Sequence, residues 1–219
     1  MGLSPLQAAR WALLQPEDER RWADAAVFAF IRVARRMLDA TKDALAEVDT
    51  GPLVADWVHL ACREAETAGA PEERQAQPEQ WHIYADNCWR RDDFDCVRER
   101  PFFHWRTYSA ALFLHAANDS EAEGGDFFYA SDWRGSHVVR VAPQCGRMVA
   151  YHAGPANLHG VGLQTRGRSC LLGVYMTDDA ARAAHRTELS DAEAILNRSA
   201  PELALQAESE GEEIRRYYE

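Results

Sequence analysis

"GGDFFYASDWRGSHVVRVAPQCGRMVAYHAG", Gly124 to Gly154, alternates short runs of β-branched and aromatic residues with Gly, Asp and Pro. Runs of this length and composition predict strands, and the breaks between them predict tight connections. The texture continues upstream in "YSAALFLHA" from Tyr108 and downstream in "CLLGVYMT" ending at Thr177. Several short strands at close spacing point to an antiparallel sandwich or barrel. The first part of the chain reads differently. From Glu17 to about Glu47, Ala25, Phe28, Ile31, Val33, Met37 and Leu38 recur at helical spacing with no Gly or Pro between them. Pro16 suits the first turn of that helix, "PLQAARWALL" before it reads as a short separate helix, and "DTGP" as a helix stop. "LVADWVHLACREAE", from Leu53, fits a strand or a short helix by pattern, and the polar "TAGAPEERQAQPEQ" after it predicts a loop. Helical spacing returns from Asp178 to Arg198, and residues 199–219 form an acidic tail. The expectation is one α+β domain over 1–198: helical to about 47, strands over about 52–177, and a C-terminal helix over 178–198.

The 219 residues, 47% hydrophobic, suffice for one substantial core. A formal net charge of −11 has the wrong sign for binding nucleic acid or an anionic membrane non-specifically. Apolar stretches such as "ADAAVFAFIRVA" are broken by charge before the roughly 20 residues of a membrane span. No secretory signal is expected at the start, and Leu6 stands where a myristoylation pattern wants Ser or Thr. Compartment is left open. Five cysteines without a CxxC pair argue against structural zinc. Cys88 and Cys96 flank the polar "CWRRDDFDC", a loop that a disulfide closes in an oxidising compartment and that holds two thiols in a reducing one.

Reactive-looking residues gather in "WHIYADNCW", Trp81 to Trp89. A non-haem iron site uses two His and one carboxylate on one face. A His-x-Asp pair on a strand edge supplies two of these, because residues i and i+2 project to the same side. Asp86 stands at such an Asp position, and His159 in "NLHGVG" is a distant third donor. Taken in order, "VHLACRE", "YADNC", "RTYSAALFL", "EGGDFF", "PQCGRMVAYHAG", "LHGV", "TRGRSC" and "LSDAEAIL" resemble the catalytic domain of the leprecan-type prolyl 3-hydroxylases, from about Pro5 to Asn197.

That resemblance implies a 2-oxoglutarate- and Fe(II)-dependent dioxygenase on a double-stranded β-helix, or jelly roll, with flanking helices. It implies Fe(II) and 2-oxoglutarate as cofactors, ascorbate beside them, and a prolyl-containing peptide or protein as substrate. The family's domain begins with a further strand and helix, so the first sheet is expected to be incomplete here. The family's metal Asp falls on Asp86 and its distal metal His on His159. The first metal His falls on Tyr84, whose phenol is a hard donor that favours Fe(III); His82, of the same parity, is the substitute if the backbone bulges. The basic residue ten positions after the distal His, which forks onto the far carboxylate of 2-oxoglutarate, falls on Ser169. Arg168 and Arg166 flank it with the wrong parity in a regular strand, and Tyr108 offers a hydroxyl for a bound carboxylate. Gly124 and Gly125 are expected to make a turn between strands, His115 and His152 to pack or face solvent, and Cys145 to be structural. Two departures at two positions also fit a catalytically silent binding or scaffold domain of the same fold. A third alternative is another metal-dependent activity with an oxygen-rich site of Tyr84, Asp86 and His159.

Overall fold

The computed structural model describes residues 2–46, 51–65, 83–91, 95–98, 103–115, 122–183 and 188–197. Along the chain lie β1 (Gly2–Leu3), α1 (Pro5–Leu13), α2 (Glu17–Ala44), β2 (Val54–Glu64), β3 (Trp89–Arg90), β4 (Cys96–Val97), β5 (Tyr108–Phe113) and β6 (Glu123–Gly124). There follow β7 (Phe127–Ala130), β8 (Val138–Val141), β9 (Met148–His152), β10 (Leu158–Val161), β11 (Gln164–Arg166), β12 (Arg168–Thr177), α3 (Ala180–Ala183) and α4 (Glu188–Leu196). Five strands pair in the order β1-β2-β12-β5-β9 and three in the order β10-β7-β8, with β11-β6 and β3-β4 as separate pairs. Every pairing is antiparallel. The fold is therefore mixed helix and sheet.

β12 sits inside the larger sheet, paired with β2 along its whole length and with β5 from Leu171 to Met176. One face of this sheet, with Val58, Ala110, Leu172, Val174 and Met176, packs against α1, α2 and α4 through residues such as Ala9, Ile31, Met37 and Ala192. The other face, with Ala111, Phe113 and Leu171, packs against Phe127 of β7 and Val161 of β10. A strand buried on both faces reads as a continuous apolar run, which accounts for "CLLGVYMT" and "YSAALF". Burying side chains the size of Leu172, Val174 and Met176 stabilises the sheet by about 1.5–3 kcal/mol each.

α2 begins at Glu17, directly after Pro16, and its buried stripe is Ala23, Val27, Ile31, Ala34, Met37 and Thr41. Ile31 and Met37 lie on that stripe as the spacing predicts, whereas Ala25 is exposed. Ser4 caps α1: its side chain accepts from the Gln7 amide while the Gln7 side chain accepts from the Ser4 amide. The ambiguous segment from Leu53 is strand β2, whose Val58 packs on the helices while His59, Ala61 and Arg63 face the second sheet. The helical C-terminal stretch contains two helices, α3 and α4. The loop expected over 67–80 and the tail over 199–219 lie outside the described residues. No described helix is long and apolar enough to cross a membrane.

Cys88 and Cys96 form the disulfide that their spacing left open. A second disulfide, Cys62–Cys170, joins partners facing each other across β2 and β12. Cys145 is a free, exposed thiol. Gly124 and Gly125, at φ 89° and 75°, do not form a simple strand-to-strand turn. Gly124 belongs to β6 and lies under β11, so close that a Cβ would stand 2.2 Å from the Leu163 carbonyl oxygen.

A contrast between two glycines tests that packing. At Gly146, φ 82°, a Cβ meets nothing within 4 Å, so Gly146→Ala carries only the left-handed backbone cost of about 1–2 kcal/mol. Gly124→Ala adds a backbone collision and is expected to cost about 3 kcal/mol or more. Equal losses in urea unfolding would show that β6 and β11 separate freely.

Candidate active site

Asp86 and His159 are brought together by a backbone pairing between two segments distant in sequence. The amide of Tyr84 donates to the His159 carbonyl at 2.7 Å, and the His159 amide donates back to Tyr84 at 3.0 Å. Ala85 bridges to Cys88, making a turn at Asp86 and Asn87, and the Asp86 amide is held by the Ala153 carbonyl at 2.9 Å. The buried Asn87 amide donates to the Arg106 carbonyl at 3.1 Å and fixes the turn. Alternation then sorts the side chains. Ile83 and Ala85 pack with Phe128, Trp133 and Leu158, while Tyr84, Asp86 and His159 line a cavity of ≈ 540 Å³ between the two sheets.

In that cavity His159 Nε2 lies 3.5 Å from Asp86 Oδ1. His159 Nδ1 is 2.9 Å from the Asn157 carbonyl oxygen, to which it can only donate, so in the neutral ring Nε2 carries the lone pair. Tyr151 Oη, 3.1 Å away, donates to that lone pair, and Phe127 stacks on the ring with centroids 5.4 Å apart. Asp86 Oδ2 is buried without a hydrogen-bonding partner. Burial works to raise the Asp86 pKa, but His159, the nearby Ser109 hydroxyl and the Arg106 charge outweigh it and hold the carboxyl below its usual range. Burial, followed by the Asp86 charge, pushes the Tyr151 phenol well above its usual range, keeping it a neutral donor. Tyr84 stands beside His159 on the same face but is 46% exposed at the cavity mouth. His82 lies outside the described residues. No group of three or more His, Cys, Asp or Glu able to hold a metal ion occurs among the described residues.

One end of the cavity contains Arg106, only 7% exposed. Its guanidinium lies 4.0 Å from the Phe103 ring centroid and 4.1 Å from that of Tyr175, with Nε donating to Asp56 at 3.1 Å. His59 stacks on Tyr175 with its Nδ1 buried and unpartnered. Burial, then the Arg106 charge, lowers its pKa from 6.5, against the pull of Asp86.

The opposite end contains Ser169, buried and pointing inward as expected. Arg168 is exposed, as its parity requires. Arg166 is corrected as an anchor: it lies on the surface, 3.8 Å from Glu123. Tyr108 is corrected too, because its strand parity turns it toward the helical core, away from the cavity. His115 is buried, its Nδ1 3.4 Å from the Cys170 carbonyl oxygen, and His152 is exposed and accepts from the Gly154 amide. Arg63, Arg106, Tyr151 and His59 were not singled out by sequence. Their common signal, a polar residue within an apolar strand or beside one, is too frequent to select them.

No family model matches the chain. It is similar to human prolyl 3-hydroxylase 3, 40% identical over 129 residues, which make up 58% of this chain and 16% of that protein. With chicken prolyl 3-hydroxylase 2 it shares 30% identity over 176 residues, 76% of this chain and 24% of that protein. The chain thus spans at most about a quarter of the length of these relatives. Among solved structures, the viral collagen prolyl hydroxylase from Paramecium bursaria Chlorella virus-1 aligns at TM-score 0.43 and 13% identity, over 67% of this chain and 73% of that one.

The depressed His59 pKa has a definite consequence. A histidine kept neutral by the folded state takes up a proton more readily when unfolded, so its contribution to stability is intact above 6.5 and declines as pH falls below that value. His59→Gln is expected to give a shallower fall of Tm between pH 7 and about 5 than the parent chain. Parallel curves would remove His59 from the acid response.

Proposed function

From its kinship with the leprecan-type prolyl 3-hydroxylases, we propose that the chain is a 2-oxoglutarate- and Fe(II)-dependent dioxygenase domain acting on prolyl residues of a peptide or protein. The two facing antiparallel sheets support a double-stranded β-helix with flanking helices, the domain extending over 1–198 with 199–219 as a tail. The observation that carries the reading is the buried pair of Asp86 and His159 in the cavity. An unpartnered carboxylate oxygen and an imidazole nitrogen whose lone pair a cation would take over from the Tyr151 hydroxyl, the other ring nitrogen being fixed by a carbonyl, form a donor set that fits a divalent cation. Asp86 and His159 would hold Fe(II), while Tyr84, 46% exposed at the cavity mouth, stands at the third protein position with a phenol that suits Fe(III) better. Bound iron and 2-oxoglutarate would supply the chemistry for C–H hydroxylation with O2 as the oxidant, one oxygen atom going to the substrate and the other to the co-substrate, which leaves as succinate and CO2; ascorbate is a further expectation carried only by kinship.

The residues around the pair have definable tasks. The Asn157 carbonyl orients His159, Tyr151 keeps a proton beside Nε2, and Phe127 and Leu171 exclude water from one side. The open mouth at Tyr84 and Trp89, 46% and 54% exposed, is where an extended peptide would enter. Two disulfides suit folding in an oxidising compartment. A second reading, a binding domain of the same fold without turnover, is favoured by Ser169 and Tyr84 at the two altered positions.

Anaerobic titration with Fe(II) and then 2-oxoglutarate separates the two. The dioxygenase reading expects a saturable visible charge-transfer band, lost in Asp86→Ala and His159→Ala, and oxygen-dependent addition of one oxygen atom to a prolyl peptide by mass spectrometry. A chain that retains no iron and shows no band is the silent domain.

A further inference from the structure

The reading just given leaves the far carboxylate of the co-substrate without a cation on β12, since Ser169 stands at the position and Arg168 and Arg166 face outward. The neighbouring strand supplies one. Arg63 of β2 is the register partner of Ser169 on β12, and both side chains line the cavity. Directly opposed residues of an antiparallel pair share a face, with Cβ atoms about 4.5–5.5 Å apart. A long side chain on Arg63 therefore sweeps the space that a basic residue at 169 would occupy.

Its guanidinium points toward β10. Arg63 Nη1 reaches the carbonyl oxygen of Val161 on β10, the strand that carries His159. Val161 follows His159 by two residues, so the guanidinium lies about 7 Å further along β10 than the imidazole backbone. A five-carbon dicarboxylate with one end at Asp86 and His159 would extend its other end toward that place. At 3.5 Å the Val161 contact is at the limit of a hydrogen bond, and among the described residues Arg63 has no carboxylate partner. Most of its five N–H donors are thus available for a forked contact. Arg106 is less suited, because it lies at the Tyr175 end, already bonded to Asp56 and enclosed by two rings. On the far side of Ser169, the buried Gln164 Oε1 and His115 Nε2, both without hydrogen-bond partners, crowd Gly125.

We propose that Arg63 anchors the distal carboxylate of 2-oxoglutarate, with the Ser169 hydroxyl as an accessory donor. This rests on the dioxygenase reading, and the test keeps the two apart. The full chain, Arg63→Gln, Arg63→Lys and the double variant Arg63→Gln/Ser169→Arg are loaded anaerobically with Fe(II), iron retention is measured, and each is titrated with 2-oxoglutarate and with 2-oxobutyrate, which lacks the distal carboxylate. The parent is expected to prefer 2-oxoglutarate by about ten- to hundredfold, the worth of a hydrogen-bonded charge pair. Arg63→Gln should erase that preference while leaving iron retention and 2-oxobutyrate affinity unchanged, Arg63→Lys should keep part of it, and the double variant should regain it. An iron-loaded Arg63→Gln chain that keeps the full preference overturns the role of Arg63 alone. A parent chain that retains no iron overturns both readings.

Discussion

The two-residue period of β12, held on both sides by hydrogen-bonded neighbours, decides where most of the important side chains go. Because β12 pairs with β2 and β5 along fixed registers, its odd-numbered residues Ser169, Leu171, Gly173 and Tyr175 enter the cavity and its even-numbered residues Leu172, Val174 and Met176 enter the helical core. The same parity passes to the neighbours. It sends His59, Ala61 and Arg63 inward on β2 and Tyr108 outward on β5. A slip of one residue would turn every one of these side chains to the opposite face, so the buried cores on both faces hold the cavity chemistry in register.

Charge in the cavity is arranged along that strand. Asp86 is a buried carboxylate whose ionised form is favoured by His159 and Arg106. Arg106 is shared with Asp56, which also accepts from Trp105 and faces Arg182 at 3.7 Å. His59 nearby is driven toward neutrality, and Tyr151 toward a permanent phenol. The result is a short acidic centre between two arginines, Arg106 at one end and Arg63 at the other. Such an arrangement suits a cation at the centre and an anion bound beside it.

Much of this was legible in the residues. The Gly-punctuated β-branched runs mark β5, β7, β8, β9 and β12, and the uninterrupted helical period marks α2. Asp86 and His159 were named from motif order, and the structure places them 3.5 Å apart. What stayed hidden depends on pairing between distant segments. β2 could not be told from a helix because its identity comes from its contact with β12. Cys62–Cys170 and Ser169–Arg63 are both partners in that one register, and the sequence places the members of each pair more than a hundred residues apart. Tyr108 was misplaced for the same reason: "RTYSAALF" is apolar on both faces, so alternation gave no clue to which face met the cavity.

The Ser169–Arg63 pairing also bears on what a departure from a family pattern means. A position-by-position comparison treats β12 as a line of independent sites, and by that measure the chain has lost a cation. In a sheet, however, a site is a patch of surface, and opposed residues on adjacent strands occupy the same patch. A guanidinium can be supplied from either strand, at the cost of a different approach angle and the loss of a buried, rigid stem. Arg63 is exposed at the cavity rim, whereas Ser169 is 5% exposed. The anchoring charge would consequently be more hydrated and more mobile than one on β12. Weaker hold on a bound dicarboxylate, rather than outright loss, would be the physical consequence of moving a charge one strand over.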